Sequence, residues 1–178
     1  MKEIKKRKIK LVDAPDEWFI AVGTVTTNWA MVDVLLDLCI GIAQLIPIIK
    51  QKHKRRSLAQ PFNKRIEMFE QIALTLVDDP KFTVVLAKFK ADALSERKDR
   101  DTVVHGVVHS KREDDPIIIL YRQSEKVSWR QPVRMSISRL HKTARRAIDL
   151  HNFLLWFLVI HLTPPILREL APKIGKRE

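Results

Sequence analysis

A regular spacing of apolar residues through the first long segment limits the structures that this chain can form. Eight apolar residues recur there at intervals that alternate mainly between four and three positions: Trp18, Val22, Val25, Trp29, Val32, Leu36, Ile40 and Ala43. An α-helix has 3.6 residues per turn, so this spacing places all eight on one helical face. The pattern predicts a long helix that begins between Asp13 and Asp16 and ends by Pro47, with both tryptophans in the core.

Three later segments show the same periodicity and predict three further helices. The second helix presents Phe62, Ile66, Phe69, Ala73 and Leu76 on one face. The third runs from Pro80, with Asp79 as its N-cap, to about Val104, where Gly106 stops it. The last is capped by Ser136 or Ser138 and ends at Pro164-Pro165.

Two short segments between the third and fourth helices have the composition of β-strands. Ile117–Tyr121 and residues 126–130 are rich in branched and aromatic side chains and flank a polar turn at 122–125. The sequence therefore predicts an all-α fold, an antiparallel four-helix bundle with a small β-hairpin between helices 3 and 4. We expect one domain over residues 13–163, a basic N-terminal tail over 1–12 and a C-terminal tail over 164–178.

The charge balance favours a polyanionic partner. The 178 residues carry a net charge of +12, and residues 2–10 hold six Lys or Arg against one Glu. Residues 50–56 add five positive charges, which serve either as a solvated connector or as a contact to an RNA backbone. The single cysteine, Cys39, permits no disulfide framework and is expected in the core.

The sequence predicts a cytoplasmic protein with no membrane segment. The basic N-terminus is not followed by a signal-peptide apolar core at the right distance. The longest apolar run near the end, Phe153 to Ile160, is too short to span a bilayer.

The apolar pattern of the third helix is broken by an arginine. Phe82, Leu86, Phe89 and Ala93 mark its buried stripe, and Arg100 falls about 20° from Phe89 on the helical wheel. A half-buried guanidinium is costly unless an anion meets it. This mismatch marks the end of the helix as the candidate functional site.

Charged residues around Arg100 have the spacing of a helical cluster. Arg97 and Asp101 are four positions apart, as are Asp101 and His105, so each pair can meet on one face. An Asp beside His105 would suit a histidine that passes a proton, and Arg100 could hold a phosphate. The alternative is an Arg-Asp-His network that only anchors the hairpin. Arg100 and His105 lie about 140° apart on an ideal helix, so they cannot both point squarely into one cleft.

Several common catalytic motifs are missing from the sequence. It has no glycine-rich phosphate loop, no paired-cysteine zinc site, no His-Glu-x-x-His and no nucleophile elbow. We therefore expect no metal site and no cofactor. The candidate RNA contacts are Arg97, Lys98, His109 and Lys111, although residues such as His109 and Lys111 are more often loop surface.

The run Arg100-Asp101-Thr102-Val103-Val104-His105 resembles the Arg-x(4-6)-His motif of the HEPN superfamily, in which a polar residue commonly follows the arginine. The motif also stands at the end of the third long helix of a helical bundle, as in that family. The first helix with Trp29 and Asp33, together with Arg97, resembles small bacterial members. The similarity in organisation covers most of residues 15–162, whereas Asp101 stands where Asn is frequent and a predicted hairpin follows the motif.

This resemblance implies a homodimer in which two copies of Arg100 and His105 line one cleft. It implies a metal-independent endoribonuclease, often a toxin of a toxin–antitoxin pair or a phage-defence effector, with Arg100 and His105 catalytic and Asp101 orienting. RNA and an antitoxin protein are the partners it suggests. Because many members of the family are non-catalytic, a non-catalytic RNA-binding bundle and a protein-interaction bundle remain the alternatives.

Overall fold

The computed structural model describes residues 16–52, 59–110, 117–121 and 133–174. Most of these residues are helical, which confirms the all-α class. The predicted basic tail at 1–12 and most of the basic segment at 50–56 lie outside the described residues. The helices are α1 (Asp16–Ala43), α2 (Pro47–Lys52), α3 (Phe62–Leu76), α4 (Pro80–His105), α5 (Ile137–Phe157) and α6 (Thr163–Ile174), and the strands are β1 (Gly106–Ser110), β2 (Ile117–Tyr121) and β3 (Val133–Met135).

The predicted stripe of α1 forms the centre of the hydrophobic core. Trp29, Leu36 and Ile40 are fully buried, and α5 is the helix against which α1 packs most extensively. Cys39 is buried in the same core, as predicted. Burying one large apolar side chain stabilises a fold by about 1.5–3 kcal/mol, so this stripe explains why α1 is long and central.

The predicted starts of α4 and α5 are confirmed by their caps. Asp79 accepts a hydrogen bond from the backbone N–H of Lys81 at 2.8 Å, and Ser136 Oγ accepts one from Arg139 N–H at 3.2 Å. The helix α4 ends at His105 as expected. Gly106 has φ −77° and ψ 153°, however, so it begins β1 in extended backbone instead of forming a left-handed cap.

The directions of the helices differ from the predicted antiparallel order. Asn28 Nδ2 donates to Ala144 O and Cys39 Sγ donates to Leu154 O, so α1 and α5 run in the same direction. Contacts of Trp29 with Phe62 and of Asp37 with Arg65 show that α3 also runs parallel to α1. The start of α3 therefore lies beside the middle of α1. Helical periodicity cannot reveal this arrangement because it carries no information on direction.

The helix α4 does run antiparallel to its neighbours. Phe89 packs on Phe153 with ring centres 4.5 Å apart, while Asp99 pairs with Arg139 near the other end of the same helix pair. The end of α4 therefore lies beside the beginning of α5. This places the predicted site at the opposite end of the α4–α5 pair from the Phe89–Phe153 contact.

The described strands form a three-stranded antiparallel sheet, which lies between α4 and α5 in the sequence. Its order is β1-β2-β3, with Gly106 opposite Tyr121 and Ile117 opposite Met135. The predicted strand Ile117–Tyr121 exists, but the partner expected at 126–130 lies outside the described residues. The predicted hairpin is therefore not confirmed, and the described partners of this strand are β1 and β3.

The predicted stop at Pro164-Pro165 is wrong. After α5 the chain makes a π-helical turn, Leu158–Leu162, and continues as α6, so a helix occupies much of the predicted tail. Thr163 bonds to the carbonyl oxygen of Leu158 through both its N–H and its hydroxyl. Both prolines then fall in the first turn of α6, where a missing N–H is tolerated.

Among the described residues, two helical stretches are long and apolar enough to cross a membrane by length and composition. They are Asp16–Ala43 and the continuous stretch Ile137–Arg168. The second is much longer than the apolar run on which the sequence argument relied. Core helices of soluble proteins satisfy the same criterion, so the cytoplasmic location stays a prediction.

Candidate functional site at the end of helix α4

Arg100 occupies the position that the apolar pattern indicated. Phe89, Ala93 and Val103 of the same stripe are buried, and the side chain of Arg100 is 18% exposed between them and the surface. Its Nη1 donates to Asp101 Oδ1 at 2.9 Å. The anion that a half-buried guanidinium requires is thus supplied by the next residue in the sequence.

Asp101 is engaged by two arginines. The same Oδ1 atom that accepts from Arg100 lies 2.9 Å from Arg97 Nε. The expected contact of Asp101 with His105 is not formed among the described residues. The charge of this carboxylate is already balanced by two guanidinium groups, which accounts for the missing contact with the histidine.

His105 is the last residue of α4, and its side chain is exposed. Within the part of the chain that the structure describes, it makes no hydrogen bond or ion pair. Because the residue is exposed, a ligand can reach its ring, and no carboxylate among the described residues fixes its tautomer.

The sequence did not predict the contacts that connect this cluster to α1 and α3. Arg97 Nη1 lies 3.1 Å from Asp33 Oδ2, and Arg65 Nη2 lies 2.6 Å from Asp33 Oδ1. Arg65 Nη1 lies 2.6 Å from Asp37 Oδ1. We refer to these residues as the ion-pair chain; in order of contact they are Asp37, Arg65, Asp33, Arg97, Asp101 and Arg100.

The ion-pair chain neutralises itself, because it contains three arginines and three aspartates. The side chains of Arg65, Arg97 and Asp33 are only 11%, 21% and 22% exposed. Electrostatic attraction between such groups is screened less than at an open surface. The chain of contacts therefore fastens three helices together and holds Arg97 in one place.

Aromatic rings support the two inner arginines. The Cζ atom of Arg97 is 4.7 Å from the ring centre of Phe62 and 6.0 Å from that of Trp29. Arg65 lies over the same Phe62 ring at 5.7 Å. A guanidinium on an aromatic face gains roughly 0.5–2 kcal/mol and loses rotational freedom.

Of the remaining predicted RNA contacts, the structure describes only the side chain of Lys98, and no described contact joins it to this cluster. The side chain of Lys98 is exposed, and its backbone oxygen accepts a hydrogen bond from Thr102 Oγ1 at 2.8 Å. His109 belongs to β1, and its side chain lies outside the described set. Lys111 lies outside the described residues altogether.

An ion pair outside the ion-pair chain fixes the end of α4 to α5. Asp99 accepts from Arg139 Nε at 2.8 Å and from Nη2 at 2.6 Å. This carboxylate raises the pKa of Arg139. Burial, together with the nearby negative charge of Asp99, raises the pKa of Glu96 in the same helix.

No protein family, curated protein or solved structure matches the chain. Among the described residues, no group of three or more His, Cys, Asp or Glu side chains could hold a metal ion.

Proposed function

We propose that this chain is a metal-independent endoribonuclease of the HEPN type. The observation that carries the proposal is the end of α4, where a half-buried Arg100 and an exposed His105 stand within two helical turns. The Arg-x(4-6)-His pattern and the net charge of +12 support it. The same proposal takes α1, α3, α4 and α5 as a four-helix bundle of that type.

In the proposed reaction, the 2′-hydroxyl of RNA attacks the adjacent phosphorus and the bond to the 5′ oxygen breaks. His105 accepts the proton of the hydroxyl or donates one to the leaving oxygen. Arg100 binds the phosphate and stabilises the charge that builds up on its oxygens. The products carry a 2′,3′-cyclic phosphate and a 5′-hydroxyl.

A homodimer supplies a complete cleft in this proposal. Arg100 and His105 of one copy diverge by about 140° around the helix. On each side of the shared cleft, Arg100 of one copy would therefore act together with His105 of the other. Asp101 orients Arg100, while Lys98, His109 and Lys111 extend the contact to the RNA backbone. An antitoxin protein would then act by covering the cleft, and the cytoplasm is the proposed location.

The decisive experiment is cleavage of mixed RNA by the purified protein in EDTA. We expect products with cyclic phosphate ends, and we expect His105→Ala and Arg100→Ala to lose them. His141→Ala is the matched control, since His141 is an exposed histidine on α5. Equal cleavage by the wild type and His105→Ala would reject the proposed site and indicate a contaminating nuclease.

A second candidate function is a non-catalytic interaction bundle. The observation that favours it is the outer face of α1, where Ile20, Met31, Val34 and Leu38 are each more than 40% exposed. Exposed apolar side chains on one helix face are typical of protein–protein contacts. The same RNA assay decides between the two, because this candidate predicts no cleavage and no RNA affinity at physiological salt.

A further inference from the structure

We propose that Asp33 of α1 is a positioning residue for the α4 site and that it acts on Arg100 through Arg97 and Asp101. The inference rests on the proposed function for its catalytic consequence. Its geometric content does not, because each link is a contact between described side chains.

The first link is the hold of Asp33 on Arg97. Asp33 Oδ2 lies 3.1 Å from Arg97 Nη1, at the end of the guanidinium that is far from the helix backbone of α4. The Phe62 ring, 4.7 Å from Cζ, restricts the plane of the group from one side. Arg97 is thereby fixed at its tip by α1 and on its face by α3.

The second link is the single oxygen atom that Arg97 and Arg100 share. Asp101 Oδ1 lies 2.9 Å from Arg97 Nε and accepts from Arg100 Nη1, also at 2.9 Å. The position of that oxygen therefore depends on where Arg97 is held. The direction in which the guanidinium group of Arg100 points depends in turn on the same oxygen.

Loss of the Asp33 charge should disturb both arginines. Without Asp33, the tip of Arg97 lacks its carboxylate partner and can rotate to engage both oxygens of Asp101. Asp101 would then turn toward Arg97 and release Arg100. Because a phosphate must be met by a correctly directed fork, this change lowers the rate of a step that depends on Arg100.

Asp37 provides a matched control. It stands one helical turn from Asp33 on α1, and Arg65 Nη1 lies 2.6 Å from its Oδ1, but it makes no contact with Arg97 in the described structure. Asp33→Asn and Asp37→Asn each remove one negative charge from the same helix and weaken the hold on Arg65. Only the first removes the carboxylate that Arg97 contacts.

The test is NMR of the arginine Nε–Hε groups in the full chain labelled with ¹⁵N. Signals are assigned with Arg97→Lys and Arg100→Lys. We expect Asp33→Asn to shift or broaden the signals of both Arg97 and Arg100, and Asp37→Asn to affect Arg65 and leave Arg100 unchanged. An unchanged Arg100 signal in folded Asp33→Asn would overturn the proposal; if that variant does not fold, an unchanged Arg100 signal in Arg97→Lys would do so.

The catalytic arm uses RNA cleavage with the same variants. We expect Asp33→Asn to lower kcat about tenfold with little change in KM, Asp37→Asn to keep the wild-type rate, and Asp33→Glu to recover part of the loss. The double variant Asp33→Asn/Arg97→Lys should be no slower than Arg97→Lys, because both changes interrupt the same series of contacts from Asp33 to Arg100. A wild type that does not cleave RNA would refute the proposed function, whereas the NMR arm would still decide the positioning role.

Discussion

Asp33 Oδ2 lies 3.1 Å from Arg97 Nη1, and this contact joins the middle of α1 to the last third of α4. Asp33 is also the carboxylate that Arg65 of α3 contacts at 2.6 Å. One side chain therefore serves two guanidinium groups from two helices. Its loss should therefore lower the stability of the fold as well as disturb the site.

We expect Asp33→Ala to lower the free energy of unfolding by about 2 kcal/mol, because it leaves two largely buried guanidinium groups with fewer acceptors. Asp37→Ala should cost less, about 1 kcal/mol or below, since the Asp37 side chain is 37% exposed and serves Arg65 alone. Urea unfolding followed by circular dichroism measures both. An equal loss in the two variants would show that the Arg97 contact adds nothing to stability.

In the proposed RNA cleavage, the shape of the Arg100 side chain should matter as well as its charge. We expect Arg100→Lys to lose at least about tenfold in kcat and Arg100→Ala about a hundredfold or more, because lysine keeps the positive charge but not the planar fork. Rates on one defined RNA oligonucleotide measure the difference. Full activity in Arg100→Lys would mean that only charge is needed there.

Glu96 should weaken the fold at neutral pH. Its pKa is raised chiefly by burial and then by Asp99, so its contribution to stability is greatest at low pH and is lost as the pH rises through the raised pKa. We expect Glu96→Gln to stabilise the protein at pH 7, by less than about 1 kcal/mol for a partly exposed group, and the gain to shrink toward about pH 4. Thermal unfolding at the two pH values measures it.

Glu70→Gln is the contrasting control for that experiment. Glu70 lies 2.6 Å from Lys90, and the change breaks this pair without relieving a buried charge. It should leave stability unchanged or lower it at pH 7. A gain in both variants would mean that the general loss of negative charge, and not the environment of Glu96, is responsible.

Cys39 should resist thiol reagents in the native protein. Burial raises the pKa of its thiol to about 12, so almost no thiolate forms near neutral pH. We expect reaction with an aromatic disulfide reagent only when the core opens, at a rate that follows unfolding in urea. As the chain has one cysteine, a fast native reaction would show directly that α1 leaves the core.

The sequence was sufficient for features that depend on local chemistry. The stripe of α1, the N-caps Asp79 and Ser136 and the half-buried place of Arg100 follow from helical periodicity and from the demands of helix ends. Arg100 also meets the anion that a half-buried guanidinium requires, and its described partner is Asp101.

Features that depend on tertiary packing were not accessible in this way. The parallel course of α1 and α3 and the contact of Asp33 with Arg97 join residues far apart in sequence, and helical periodicity carries no signal for either. The helix through Pro164-Pro165 was missed for a different reason. A π-helical turn there places both prolines in a new first turn, and the sequence rule assumes a regular helix.

Salt should act in opposite directions on the apolar outer face of α1 and on the net positive charge of the protein. The exposed apolar residues of that face, Ile20, Met31, Val34 and Leu38, can meet those of another molecule only against the repulsion of two chains that each carry a charge of +12. At about 1 M salt the screening length falls to about 3 Å, which removes that repulsion while strengthening apolar contacts in salts such as sulfate. Binding to a nucleic-acid backbone weakens under the same conditions. Under the proposed function, rising ionic strength should therefore release the protein from RNA and promote its self-association.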